Sequence, residues 1–420
     1  MDFALIGFGV SNRSVLKFLM EKKMGNIFVS EKHTLSQEDK DFFLKHGIDF
    51  EENGNTERVL RSDLIIYSPS VRPDDPLIER AVKEKRAIGE IEFAWRYVLN
   101  GSKVVAITGS NGKTTTVSLT DHILKVSNID HFTGGNIGTA ASDRRNEPIS
   151  LLEISSFQLM GTDTFVPDIG AVLNISPNHL DWHKNFEEYV DSKMKLAMAK
   201  TFIYNADSMI PKVNGIRVSR FSGDIIIDEK GFKIGKTYFS LSETKLRGIH
   251  NVYNAAFAAF IAKVLGSSED EIMKGLETFI PLEHRQEVFA RIDGVTYVND
   301  SKSTTSESTL KALENFKNSI VIICGRPKEK DYSSLAKGLK ERSKSVILMG
   351  EMVPIMEPLL DGMRYFKAKS MEEAVDISKR IAQDGDFVLL SPAATSFDMF
   401  KNYEERGKEF KRIVYGKINE

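Results

Sequence analysis

Lys113 stands in the segment VVAITGSNGKTTT, residues 104–116, behind Gly109 and Gly112 and ahead of a run of threonines. A lysine that opens a helix, beneath glycines and after an apolar strand, makes a phosphate site on physical grounds. Backbone N–H groups point at the anion, the helix dipole favours negative charge, and the lysine adds a mobile positive one. Thr114 supplies a hydroxyl of the kind that binds Mg²⁺ in such loops. The usual spacing places a glycine five residues before Gly112, and Ile107 stands there instead. The segment therefore reads either as a shortened phosphate loop or as a tight strand-to-helix turn that contains a lysine.

Other residue types capable of chemistry follow at intervals. Glu153 ends the apolar run of LLEISSFQL, where a carboxylate can bind the Mg²⁺ of a nucleotide or stand solvated. LNISPNHLDWH brings His179, Asp181 and His183 together at alternate positions, a candidate metal set that lacks the spacing of common zinc sites. A polar loop with a capping aspartate is the other reading. FEEYVDSKMKLAMAK is an amphipathic helix; Lys184, Lys193, Lys195 and Lys200 lie on or beside it, and spacing marks none of them, so surface lysines are expected. Asn251 and Asn254 in HNVYN lie three apart on one helix face, suited to a nucleobase edge or to capping. In GFGVSN, Gly7 and Gly9 match the start of a dinucleotide fingerprint, but Asn12 takes the third glycine's place; Glu31 falls where an acidic residue would meet a ribose.

These residues need a scaffold, and the chain supplies one by alternation. Short apolar runs (FALIG, NIFVS, SDLIIYS) alternate with helical patterns through the first hundred residues. LNGSK at 99–103 is a linker before a second start at VVAITG, and a third alternating region begins near PLEHR. Parallel βαβ units gather ligands at the carboxyl ends of their strands. VNDSKSTTSES, GRPKEKD (Arg326, Lys328, Lys330) and SPAATSFDMFKNYEERG all follow strands, and together they suggest an anionic substrate.

Bulk properties narrow the class. At 420 residues, with 41% hydrophobic and 28% charged residues, the chain has the composition of a soluble protein of two or three domains. A net charge of −2 argues against a nucleic-acid partner. The single cysteine, Cys324, excludes an internal disulfide and fits a reducing compartment. No signal peptide and no apolar stretch of ~20 residues is found, so a cytoplasmic protein without membrane insertion is expected.

Taken in order, TGSNGKTT, EISSFQL, NHLDWH, HNVYN, EHR and NDSK resemble the Mur ligase superfamily over nearly the whole chain. The resemblance implies three consecutive α/β domains. A Rossmann-like N-terminal domain (1–99) would bind a UDP-linked substrate, a central P-loop ATPase-like domain (100–281) would bind ATP, and a Rossmann-like C-terminal domain (282–420) would bind the amino acid. EISSFQL, NDSK and SPAATSFDMFKNYEERG are most similar to the member that adds D-glutamate to UDP-N-acetylmuramoyl-L-alanine. An acyl phosphate, ADP and phosphate are then expected, in peptidoglycan precursor synthesis.

The same resemblance assigns residues. Gly109, Asn111, Gly112, Lys113, Thr114 and Thr115 would hold the phosphates, Asn251 and Asn254 the adenine, and Arg285 and Asp300 further parts of ATP. Gly9, Val10, Ser11, Ser30, Glu31 and Ser70 would hold the uridine nucleotide, with Asn136 of GGNIG on the muramyl substrate. Two Mg²⁺ ions are implied, one near Thr114 and Glu153 and one near His179 and Lys193. Lys193 matches a lysine that the family carbamylates, which would make it an oxygen ligand. Lys113, His179, Lys193 and Asn136 form the catalytic set. Lys302, Thr304, Lys328, Ser396, Phe397 and Tyr403 would form the D-glutamate pocket, and a monomer is expected. Another superfamily ligase, acting on folylpolyglutamate or on a later muramyl peptide, and a P-loop phosphotransferase or switch are the alternatives.

Overall fold

The structure is a computed structural model that describes residues 1–136, 138–177, 179, 182–246, 248–280 and 283–416. The chain divides into two compact units, Met1–Phe279 and Ile280–Glu420.

The first unit holds two sheets. The N-terminal sheet is parallel, with strands β1 (Phe3–Ile6), β2 (Ile27–Ser30), β3 (Asp49–Glu51), β4 (Leu64–Tyr67) and β5 (Ala87–Gly89) in the order 3-2-1-4-5. Leu5 of the central strand pairs in register with Val29 and Ile66, and all three are buried, as a sheet covered on both faces requires. The second sheet is built from β6 (Lys103–Thr108), β7 (Phe132–Gly135), β8 (Ile149–Glu153), β9 (Ile169–Val172), β10 (Thr201–Asn205), β11 (Ile216–Ser219), β12 (Ile225–Ile227), β13 (Gly231–Ile234) and β14 (Thr237–Ser240). Its order is 14-13-12-11-10-9-6-8-7. Strands β7 to β12 with β6 are parallel, and β12, β13 and β14 close the edge as antiparallel hairpins.

Helices Lys113–Val126 and Ile249–Leu265 share a core with this sheet. Val117 and Ile123 share that core with the alanine-rich stretch 255–262. The helix expected over 186–200 is shorter: it runs Phe186–Met194 and tightens into a 3₁₀ turn, Lys195–Met198. The Lys195 ammonium there is drawn to the carbonyls of Leu159 and Thr162, each at 2.8 Å. The two sheets are tied by Glu92 of the helix Glu90–Tyr97. Its carboxylate accepts the N–H groups of Asp163, Thr164 and Phe165 at 2.9, 3.0 and 3.1 Å.

The second unit carries β15 (Glu287–Ile292), β16 (Val295–Asn299), β17 (Ser319–Cys324), β18 (Ser343–Met349), β19 (Tyr365–Ala368) and β20 (Phe387–Leu390), in the order 15-16-20-17-18-19. Only the β15–β16 hairpin is antiparallel among these pairs. No helix among the described residues is long and apolar enough to cross a membrane.

Candidate active site

Strand β6 sits between β8 and β9, and its carboxyl end opens into the loop 109–112. Chain connections leave this point in both directions along the sheet, the place where open α/β sheets bind ligands. The loop is held from below. Ser110 N–H donates to the Asn174 carbonyl at 2.9 Å, and Asn111 N–H donates to Asn174 Oδ1 at 2.9 Å. Ser110 Oγ lies 2.7 Å from the Tyr189 hydroxyl and accepts from Ser176 N–H at 2.9 Å. Gly112 has φ +82°, and a Cβ there would stand 2.4 Å from Asn254 Oδ1, so only glycine lets the loop turn into the helix beneath that amide. Asn254 is buried, accepts from Thr116 Oγ1 at 3.2 Å and donates to Asn251 Oδ1 at 3.1 Å. Neither asparagine caps the helix, whose N-cap is Gly248.

Lys113 folds its ammonium back over the loop, donating to the carbonyls of Gly109 at 2.8 Å and Ser110 at 3.3 Å. Lys193 arrives from the helix Phe186–Met194 and reaches the same Gly109 carbonyl at 3.0 Å. The surface position expected from helix periodicity is wrong for this residue: Lys193 is 1% exposed, with its ammonium 4.7 Å from the centre of the Tyr189 ring. Burial, reinforced by the charge of Lys113, pushes its pKa well below that of an ordinary lysine.

Glu153, the last residue of β8, is also buried. Its Oε1 accepts from Asn136 Nδ2 at 2.8 Å, while Oε2 has no hydrogen-bond partner among the described residues. Asn136 is fixed in turn, its N–H donating to the Glu153 carbonyl at 2.7 Å. Thr114 is buried at the start of the helix Lys113–Val126.

His179 packs edge-on to Phe157 with φ +55°. His183 does not join it as an alternating ligand. That ring is buried against Phe157, with Nε2 3.0 Å from Ser156 Oγ and Nδ1 3.4 Å from Glu188. Asp181 lies outside the described residues. Among the described residues no group of three or more His, Cys, Asp or Glu side chains is placed to hold a metal.

The segment after His179 is anchored by Arg72, from the loop following β4. Its guanidinium lies over Trp182, donates to the Trp182 carbonyl, and pairs with Glu188 at 3.0 Å and Asp74 at 2.8 Å. Lys184 pairs with Asp74 as well. Arg72, Asn174 and Tyr189 were not singled out in the sequence. Asn174 could have been found by the rule that exposes Glu153, since it follows the apolar run of β9 directly; nothing in the sequence marks the other two.

In the N-terminal sheet, residues 7–11, Ser30, Glu31 and Ser70 lie at or just past the carboxyl ends of β1, β2 and β4. Val10 opens its helix 67% exposed, with Gly9 as the N-cap. Asn12 acts as a strut, donating to the carbonyls of Ile6 and Gly7 at 2.9 and 2.7 Å. The Glu31 carboxylate receives Phe8 N–H at 2.6 Å and His33 N–H at 2.9 Å, so it shapes the glycine turn. Ser30 Oγ donates to the Glu51 carboxylate at 2.7 Å, and Ser70 Oγ pairs with Ser68 Oγ at 2.7 Å.

The second unit gathers its candidates at the ends of β16, β17 and β20. Asp300 is buried and accepts from Ser391 Oγ at 2.7 Å and Gln286 N–H at 3.1 Å; burial pushes its carboxyl up to about 6, against the lowering effect of these bonds and of Arg285. Lys328 Nζ lies 3.5 Å from Thr304 Oγ1, and Lys302 Nζ lies over the Tyr403 ring at 5.4 Å. Ser396 is buried while Phe397 is 62% exposed. The basic loop is less positive than its sequence suggests, because Arg326 pairs with Glu351 at 2.9 Å.

Comparison with known proteins gives a consistent result. Residues 2–77 match the family model described as MurD N-terminal domain, residues 107–262 the Mur ligase middle domain, and residues 284–394 the Mur ligase glutamate ligase domain. A UDP-N-acetylmuramoylalanine–D-glutamate ligase of Pseudothermotoga lettingae is 40% identical, over 99% of this chain and 98% of the relative. One from Thermosipho africanus is 38% identical over 99% and 98%. Among solved structures, the UDP-N-acetylmuramate-alanine ligase MurC of Thermotoga maritima superposes with a TM-score of 0.61 at 18% identity, covering 99% of this chain and 100% of that one. A pseudomurein peptide ligase type C from Methanothermus fervidus gives 0.61 at 19%, covering 99% of each. These two likenesses are of fold.

Proposed function

The chain belongs to the Mur ligase family, and we propose that within it this protein is the ATP-dependent ligase that joins D-glutamate to UDP-N-acetylmuramoyl-L-alanine, in the cytoplasm, during peptidoglycan precursor synthesis. Relatives of that name, alike along nearly the full length of both chains, support the choice of substrates. The observation that carries the chemistry is the convergence of Lys113 and Lys193 on the Gly109 carbonyl, at the strand ends that also bear Glu153.

A carboxylate and an amine form a salt at neutral pH, so the acyl group needs activation. The L-alanyl carboxylate attacks the γ-phosphorus of ATP, giving an acyl phosphate and ADP. The D-glutamate amine then attacks the acyl carbon, and phosphate leaves from the tetrahedral intermediate as the amine gives up its proton. Two anions meet in the first step. The N–H groups of residues 112–115 at the start of the helix and the Lys113 ammonium, moved from the loop carbonyls onto phosphate oxygens, lower that barrier. Asn251 and Asn254 hold the adenine edge; Arg285 and Asp300, which the resemblance also assigns to ATP, belong to the second unit. Gly9, Val10, Ser11, Ser30, Glu31 and Ser70 hold the uridine nucleotide, and Asn136 orients both the muramyl substrate and Glu153. Lys302, Thr304, Lys328, Ser396, Phe397 and Tyr403 receive D-glutamate.

The buried, unpartnered Glu153 Oε2 and the Thr114 hydroxyl are hard oxygen donors suited to Mg²⁺. They would hold one ion, and His179 with a carbamylated Lys193 would hold a second; bound Mg²⁺ would neutralise the charge gathered on the phosphates. An ammonium at Lys193 would repel that ion, whereas the unprotonated amine favoured by its burial captures CO₂ to give a carboxylate-like ligand.

The test is incubation with ATP, Mg²⁺, UDP-N-acetylmuramoyl-L-alanine and a panel of D- and L-amino acids, following phosphate release and product mass. Release that needs both the acceptor and D-glutamate, with a product heavier by one glutamyl residue, is expected. Phosphate release independent of any amino acid would overturn the reading in favour of a P-loop phosphotransferase.

A further inference from the structure

Arg406, in the helix Tyr403–Gly416, is wholly buried, and its guanidinium makes no ion pair among the described residues. It bonds instead to oxygens at the carboxyl ends of three strands. Nε donates to Ser301 Oγ at 2.9 Å and Nη2 to the Ser301 carbonyl at 2.8 Å, just after β16. Nη1 donates to the Cys324 carbonyl at 3.3 Å, the last residue of β17. Both terminal nitrogens reach the Ala394 carbonyl at 3.2 Å, and Nη1 reaches Thr395 at 3.3 Å, beyond β20. Gly325 seals the junction: at φ +118°, a Cβ there would stand 2.0 Å from the Thr395 carbonyl and 2.9 Å from Arg406.

Each anchored residue stands shortly before a residue of the D-glutamate pocket. Ser301 precedes Thr304, Cys324 precedes Lys328, and Thr395 precedes Ser396. A planar fork with five N–H groups can span three loops at once, which an ammonium on a flexible stem cannot. We propose that Arg406 is a positioning residue for the incoming amino acid, setting the spacing of Thr304, Lys328 and Ser396 without touching the substrate. This inference rests on the D-glutamate pocket assigned above.

The experiment compares wild type with Arg406→Lys, Arg406→Met and Lys328→Ala in two assays. One measures ligation against D-glutamate concentration. The other omits D-glutamate and traps the acyl phosphate with hydroxylamine, whose nitrogen takes the acyl group as phosphate leaves, giving a hydroxamate. Arg406→Met is expected to raise the KM for D-glutamate roughly 10- to 100-fold while hydroxamate formation stays within about twofold of wild type. Arg406→Lys should recover part of the loss. Hydroxamate and ligation falling together would mean a general structural role and overturn the proposal, as would a wild-type KM in folded Arg406→Met. Should that variant not fold, a wild-type KM in Arg406→Lys overturns it equally. If Lys328→Ala also keeps the wild-type KM, the pocket assignment itself fails; if Lys328→Ala is impaired and the Arg406 variants are not, only the role of Arg406 falls.

Discussion

Lys113 and Lys193 donate to one and the same carbonyl oxygen, that of Gly109, at 2.8 and 3.0 Å. One of the two opens a helix beside the loop 109–112; the other is buried, and both its burial and its neighbour's charge disfavour its proton. In the function proposed above, the pair divides into a cation for phosphate and an amine open to modification.

That division predicts a requirement for CO₂. Enzyme stripped of CO₂ and bicarbonate should lose most of its activity and regain it on adding bicarbonate. Intact mass at neutral pH should show an adduct of one CO₂ that acid removes. Lys193→Arg, which cannot form a carbamate, should fall at least roughly 100-fold in kcat. Full activity in CO₂-free buffer would remove Lys193 from the metal site.

Asn136 holds one oxygen of Glu153 and leaves the other unpartnered. Asn136→Ala frees the carboxylate to turn away from its present direction. The Mg²⁺ concentration for half-maximal rate should rise roughly 10- to 100-fold, the usual effect of losing a residue that orients a metal ligand. Binding of Mn²⁺ to the enzyme, followed by electron paramagnetic resonance, should weaken in parallel. An unchanged Mg²⁺ requirement would count against Glu153 as a ligand.

Lys328→Ala should raise the KM for D-glutamate about tenfold through loss of a charge-assisted contact, with the KM for ATP nearly unchanged. Because Glu351 already neutralises Arg326, Lys328 carries more of the loop's positive charge than its sequence neighbours suggest. Steady-state titration of each substrate checks this, and equal effects on both would refute the assignment.

Glu90 offers a test of stability against pH. Burial pushes its carboxyl up to about 7, despite the Ser142 N–H and hydroxyl bonded to Oε1 at 2.8 and 2.6 Å. The folded state thus holds the proton more tightly than the unfolded chain, whose glutamate titrates near 4.5. The stability this lends is complete below that value and is lost as pH rises through about 7. Melting temperatures at stepped pH should fall more steeply for wild type than for Glu90→Gln between about 5 and 8. Parallel curves would show that burial does not raise this carboxyl into that range.

Much of this was legible in the sequence because parallel βαβ units place chemistry at predictable points. Lys113, Glu153 and the NDSK segment all sit at strand ends announced by apolar runs. Lys193 was legible only by family resemblance, since helix period alone cannot tell a lysine that faces solvent from one that points into the sheet end. The strands from Ile225 to Ser240 went unread because they are three or four residues long and interrupted by turns at Asp228–Gly231 and Gly235. His183 looked like a ligand through alternation with His179, but its ring turns inward onto Phe157 and Ser156. Arg406 was invisible for another reason: in KNYEERGKEF it is one charge among several, and only packing shows that it alone is enclosed.

The Arg72 anchor bears on how this protein can be taken apart. Residues 1–99 read as a separable module, yet Arg72 grips Trp182 and Glu188, and Glu92 grips the backbone of 163–165. A chimaera that replaced only the first hundred residues with those of a distant relative would set foreign side chains against the helix that delivers Lys193. Exchange of the first hundred residues between such enzymes therefore has to carry residues 163–165 and 182–188 with it, as one inherited block.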